Sequence, residues 1–273
     1  MNLRMLKDTP PWEWPDGTGR ALLDIVRDEG AAESDLLLAA EMAGDLTVVN
    51  DELVEALLSV LRRGDRSETV RGRAAISLGP VLEHADTQGF EDTDDLPVTE
   101  RAFHRLQESL RKLYGDANVP GEVRRWILEA SVRAPQDWHE NAIRAAYSSG
   151  DDSWKLTAVF CMRFVRGFDE QILEALDSQD PDVHYEAVVA AGDWRLDAAW
   201  RHVAALITSK TTDKALLLAA IDAIASIRPR EAVRMLDDLA DSPDEDIAAA
   251  AEDAMAMAEG PLGEDDDDDD CPY

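Results

Sequence analysis

The chain has 273 residues, 45% of them hydrophobic, and sets 58 acidic against 27 basic side chains for a formal charge of −31. That length allows a large core, and no run of about 18 apolar residues is present to cross a bilayer. A surface so negative repels nucleic acid and anionic lipid, so neither is expected as a partner.

The acids are 36 Asp and 22 Glu, and the bases are 22 Arg with only 5 Lys. Sparse Lys and abundant Asp suggest a halophilic protein, because screening lengths of about 3 Å at 1 M salt relax such self-repulsion. The opening MNLRMLKDTPPWEW lacks the apolar middle of a signal peptide, which makes cytoplasmic residence the expectation. Cys161 and Cys271 are isolated in sequence, so neither a disulfide nor a zinc site is expected of them.

Residues 1–32 read as an N-terminal cap, with Trp12 and Trp14 of PPWEWPDG folding over the first repeat to cover its apolar face. From residue 33 the chain repeats. SDLLLAAEMAGDL, TVRGRAAISLGPV, EVRRWILEASVRA, SWKLTAVFCMRFV, DVHYEAVVAAGDW, KALLLAAIDAIAS and DIAAAAEDAMAMA align as first helices. In the last three, Val183, Ala215 and Ile247 recur at intervals of 32 residues. Four places further on stand Ala39, Ala74, Ile127, Ala158, Ala187, Ala219 and Ala251. A small residue at a fixed helical position admits a close neighbour, and Ala is the best helix former. Ile127 departs from that rule.

Helix starts are also legible. Asp180-Pro181 offers an N-cap carboxylate and a proline suited to the first turn, and Ser242-Pro243 offers the same signal 62 residues on. Second helices follow each first one, as in DELVEALLSVLRR, ERAFHRLQESLRKLY, HENAIRAAYSS and DAAWRHVAALITS. The interval from Val70 to Val123 is too long for one unit, and the surplus falls on ADTQGFEDTDDLPVT, read as an inserted acidic loop at 85–99. Residues 260–273, with EDDDDDD at 264–270, read as a disordered acidic tail. A lone helix pair cannot bury its apolar face but stacked pairs can. The expectation is therefore all-α: a right-handed α-solenoid of about seven helix pairs over 33–259.

The pattern D-P-x-V-x-x-x-A, followed by a second helix ending in L-x-x-L, resembles the HEAT-like repeats of the bilin-lyase type over roughly residues 33–259. That resemblance implies the solenoid fold. The same repeat family contains scaffolds, adaptors, chromophore lyases and a di-iron hydroxylase. The family's di-iron enzymes use several His-Glu pairs, and this chain has one, His139-Glu140, so no iron centre and no other metal or cofactor is expected. His184, Tyr185 and Glu186 are adjacent on one helix and point about 100° apart, which argues against a shared substrate. No phosphate loop or nucleophile elbow is present.

What remains is a binding surface. Residues 98–147 carry net +1 in a chain of −31. Within them Arg101, Arg105, Arg111, Lys112 and Arg144 surround Trp138 on second helices, and Trp200 and Arg201 stand on a later one. Aromatic anchors flanked by Arg are common in binding hot spots. Trp126, Trp154 and Trp194, on first helices, are assigned to packing between repeats. The expected function is a non-catalytic, monomeric scaffold or adaptor gripping another protein on its concave face. The alternative is a bilin-lyase-like enzyme or chaperone, with Arg105, Arg144 and Arg201 available to a tetrapyrrole's propionates.

Overall fold

A computed structural model describes residues 3–90 and 96–259. The described chain is all-helical and contains no strand, and no helix in it is long and apolar enough to cross a membrane. It divides into two compact units, Met1–Val165 and Arg166–Tyr273. The acidic tail at 260–273 lies outside the described residues.

The first unit contains α1 (Leu3–Lys7), α2 (Thr18–Arg27), α3 (Glu33–Ala43), α4 (Asp51–Arg62), α5 (Glu68–Ile76), α6 (Gly79–Gln88), α7 (Glu100–Gly115), α8 (Gly121–Ser131), α9 (His139–Tyr147) and α10 (Asp152–Cys161). One layer stacks α3, α5, α8 and α10, and a second stacks α2, α4 and α7. The second unit contains α11 (Asp169–Ala175), α12 (Pro181–Asp193), α13 (Trp200–Thr208), α14 (Lys214–Ile227), α15 (Pro229–Ala240) and α16 (Glu245–Glu259). There α12, α14 and α16 stack in one layer, while α13 meets α15 in the other. The expected pairs are therefore present, but their closest packing crosses the expected unit boundary. Each second helix rests chiefly on the first helix that follows it, as in α4 on α5 and α13 on α14.

Local chemistry explains the starts. Asn50, Ser67, Thr99, Asp151, Asp180 and Asp213 each accept backbone N–H groups in the first turn of the helix they precede, which satisfies donors that have no intrahelical partner. Asp180 receives the N–H groups of Asp182 and Val183 at 2.9 and 3.2 Å, and Pro181 fills the first turn. At the last helix the signal lies two residues beyond Ser242. Asp244 Oδ1 accepts from Asp246 and Ile247, while the Ser242 hydroxyl accepts from Asp244 N–H.

These caps refine the repeat register. The residue seven places after the cap is Ala39, Ala74, Ile127, Ala158, Ala187, Ala220 and Ala251 in turn, and every one is wholly buried. In α14 the equivalent residue is thus Ala220 rather than Ala219, because Asp213 caps that helix one residue later than a strict 32-residue period requires. Small residues bring the layer close. A Cβ added at Gly192 in α12 would stand 2.7 Å from the Ala223 Cα in α14. At Gly72 in α5 it would enter the ring of Trp126 from α8, which places Trp126 between repeats as expected.

The segment read as a loop at 85–99 begins inside α6, whose inner face is Val81, Leu82 and Ala85. Residues 91–95 of it are not among those described. Thr99 ends it, donating N–H and hydroxyl to the Asp51 carboxylate at 2.9 and 2.7 Å. At the N-terminus Trp14 packs on the core, its Nε1 donating to the carbonyls of Leu6 and Thr9 at 3.0 Å each. Trp12 does not share that role: it is 79% exposed, because the short helical turn at Pro11–Glu13 turns it outward while Trp14 takes the inner place.

Candidate functional site

Four of the basic residues expected to meet a partner, Arg105, Arg111, Lys112 and Arg144, hold neighbours of opposite charge. Glu55 on α4 receives Arg62 at 3.0 Å and Arg105 at 3.8 Å. Arg111 reaches Asp137 at 3.2 Å, Lys112 reaches Glu108 at 2.7 Å, and Arg144 reaches Glu140 at 3.0 Å. The Lys112 bond also lowers the Glu108 pKa. Arg101 is exposed near the start of α7. Trp138 is half-buried: its Nε1 donates to Gln136 Oε1 at 2.7 Å, and its ring lies 3.8 Å from that of His139 and 4.9 Å from that of Tyr114. Trp200 and Arg201 belong to the second unit. Arg228 sits 5.1 Å from the Trp200 ring while forking onto Asp197 at 2.6 and 2.8 Å.

His139 is fully buried, and its bonds fix its tautomer. Nδ1 accepts the Gln136 backbone N–H at 2.8 Å, so the ring proton sits on Nε2. Nε2 then donates to Ser131 Oγ at 3.0 Å, and that hydroxyl donates to the Leu128 carbonyl at 3.3 Å. A histidine that donates to a serine cannot take its proton, so Ser131 and His139 are not a nucleophile and its base. Burial lowers the His139 pKa to about 4, which keeps the ring neutral. Its sequence neighbour Glu140 turns away to Arg144.

The second unit holds a different arrangement. His184 on α12 and His202 on α13 face one another, Nε2 to Nε2, at 2.8 Å. Their ring centroids are 5.0 Å apart and their planes cross at 80°. Each helix is anchored beside its histidine by buried neighbours, Val183 and Ala187 on α12 and Ala199 and Val203 at α13. Both helices also pack on α14. Burial lowers the His184 pKa, the charge of His202 lowers it further, and Asp177 and Asp213 oppose the shift. An N–H···N bond requires that at least one ring be unprotonated. His184 thus converges with His202 rather than with Tyr185 and Glu186, its neighbours in sequence, and Tyr185 is exposed.

Two imidazole nitrogens that are freed from their mutual hydrogen bond could supply two donors to a first-row transition metal, half of a four-coordinate shell. Among the described residues no cluster of three or more His, Cys, Asp or Glu is placed to hold a metal. The remaining positions would fall to water or to a second molecule. Sequence spacing hides this pair, because 18 residues and a helix reversal separate its members. The available signal is one histidine in the first turns of each of two successive helices.

No family model matches the chain, and no curated protein matches it. Among solved structures it is similar to human deoxyhypusine hydroxylase in complex with glycerol, at 16% identity and a TM-score of 0.40 over 91% of this chain and 87% of that one. It is also similar to an engineered protein, at 19% identity and a TM-score of 0.36 over 89% of this chain and 97% of that one. The first of these bears an enzyme's name. That name corrects the expectation of a non-catalytic scaffold or adaptor, which rested on the absence of a recognisable catalytic motif. The likeness transfers no activity to this chain. Of the three arginines that the tetrapyrrole alternative assigns to propionates, Arg105 and Arg144 pair with Glu55 and Glu140.

Proposed function

We propose that this chain binds a divalent transition-metal ion through His184 and His202. The observation that carries the proposal is the 2.8 Å approach of two half-buried Nε2 atoms from different helices. Neutral imidazole is the commonest metal ligand, and the lowered His184 pKa favours the neutral ring. Asp177 and Asp213 add negative potential around the pair without serving as ligands. Metal would enter between α12 and α13 and tie together two helices that both rest on α14. We also read the acid excess as an adaptation to concentrated salt, in which imidazole binding persists while exposed carboxylates are screened.

Equilibrium dialysis against Zn(II), Ni(II) and Cu(II) tests this reading. Millimolar Mg(II) should be present throughout, because Mg(II) competes for carboxylates and not for imidazole. One ion per chain should bind, and both His184→Ala and His202→Ala should weaken binding at least tenfold. Unchanged affinity in both variants would mean that any bound metal sits elsewhere.

A further inference from the structure

Of the seven tryptophans, six are half-buried and Trp12 alone is exposed. The loop that carries it is rigid. Glu13 N–H donates to the Pro10 carbonyl at 2.9 Å and Trp14 N–H to that of Pro11 at 3.2 Å, which closes the turn around Trp12. Thr18 secures the far side, its N–H and hydroxyl both donating to the Pro15 carbonyl at 3.2 and 2.7 Å. Pro10, Pro11 and Pro15 fix the backbone at three more points. Trp14 is pinned by its bonds to the Leu6 and Thr9 carbonyls. Between this loop and Thr47-Val48 lies a cavity of about 390 Å³, with Trp12, Trp14 and Asp16 in its wall. Small-molecule sites span about 300–1,000 Å³.

We infer that this cavity binds a small quaternary ammonium solute, its charge over the Trp12 ring and beside the Asp16 carboxylate. The site belongs to the first unit and is independent of the histidine pair.

Charge decides the class of ligand. From Pro10 to Gly19 the loop carries two acids, Glu13 and Asp16, and no base. Among the described residues neither acid forms an ion pair. Arg20, the next base along the chain, is held by Asp24 at 3.5 Å and Glu52 at 3.8 Å. An anionic ligand is therefore repelled, and a cation meets both a carboxylate and indole, the aromatic ring that attracts cations best. A bare ammonium is a compact charge that keeps its water and gains little from a ring. Methyl groups replace that water with apolar surface, so the charge reaches the indole face with little desolvation to overcome. The preorganised loop spends no ligand affinity on ordering itself. The volume of the cavity suits a free solute rather than a charge borne on a long chain.

Equilibrium dialysis of labelled choline against the full-length protein tests the inference. Molar potassium chloride should be present, so that general attraction to the 58 acids is screened. Choline should bind saturably, and Trp12→Ala should weaken it about tenfold or more. Trp12 is exposed, so that variant should fold, and an unchanged melting temperature checks that it does. Asp16→Asn should also weaken binding, by about threefold or more. The neutral isostere of choline, with carbon in place of nitrogen, should compete about tenfold less well. Equal competition by the neutral isostere would overturn cation recognition, and unchanged affinity in a folded Trp12→Ala would overturn the location. Absence of saturable choline binding would overturn the site. A trimethyllysine peptide that binds far more tightly than choline would overturn the choice of a free solute.

Discussion

Replacing His139 with Gln tests whether the buried ring is held neutral by its surroundings. In the folded chain its pKa is lowered to about 4 from 6.5. The folded state therefore refuses a proton that the unfolded state accepts. Above pH 6.5 neither state is protonated and the shift contributes nothing to the pH dependence. As pH falls from 6.5 toward 4 the unfolded state gains protons and stability drops. The gap of some 2.5 units corresponds to about 3 kcal/mol when fully expressed, at 1.36 kcal/mol per unit, and to about 2 kcal/mol at pH 5. Glutamine does not titrate, so the variant lacks this slope. At pH 7.5 the variant should be weaker by about 1–3 kcal/mol, because Ser131 Oγ and the Gln136 N–H lose good partners. At pH 5 the difference should shrink by about 2 kcal/mol and can change sign. Urea unfolding of both proteins at the two pH values measures this, and the carboxylates common to both cancel in the difference. Carbon-13 shifts of the imidazole give an independent reading, since the ring should stay neutral in the folded chain at pH 5. A difference in stability that is equal at pH 7.5 and pH 5 would refute the argument.

Gly192→Val should lower the denaturant midpoint by an amount corresponding to about 1–3 kcal/mol, because its side chain meets the Ala223 backbone of α14; an unchanged midpoint would mean that the two helices separate freely. Asp180→Ala should cost about 1 kcal/mol through loss of the cap on α12, measured in the same way, with Asp180→Asn recovering most of it. The melting temperature should climb between low salt and molar potassium chloride as repulsion among 58 acids is screened; a flat or falling curve would remove the case for salt adaptation. Free Ni(II) at a hundredfold excess over its dissociation constant should stabilise the second unit by about 2.7 kcal/mol, an effect that His202→Ala abolishes.

The parts of the fold legible in the sequence are those fixed within one or two turns of helix. Asp180-Pro181 announces α12 because a carboxylate cap and a first-turn proline act on their own backbone, and the wholly buried alanines announce the stacked layer because close approach leaves room for little else. Ala220 was displaced by one place in the reading because loop lengths vary between repeats, so a strict period drifts where the cap does not. Helix α6 was concealed for a related reason. The sequence reading includes Gly79-Pro80 in the first helix TVRGRAAISLGPV, yet that helix ends at Ile76, and the proline, tolerated in a first turn, starts a separate one.

The candidate site belongs to a different class of information. His139 is a single residue whose role depends on which of its nitrogens meets Gln136 and which meets Ser131, and a sequence carries no tautomer. The arginines around Trp138 are visible as a charge excess, but a net charge does not say that Arg105 ends on Glu55, 50 positions away, or Arg111 on Asp137. His184 was weighed with Tyr185 and Glu186 because they are adjacent, and adjacency on a helix is what separates side chains by about 100°. Its partner is the histidine that α14 brings within reach by giving both α12 and α13 a surface to pack on. Metal binding at this site depends on the packing of α12 and α13 on α14, and Gly192 of α12 lies against Ala223 of α14 because neither carries a larger side chain.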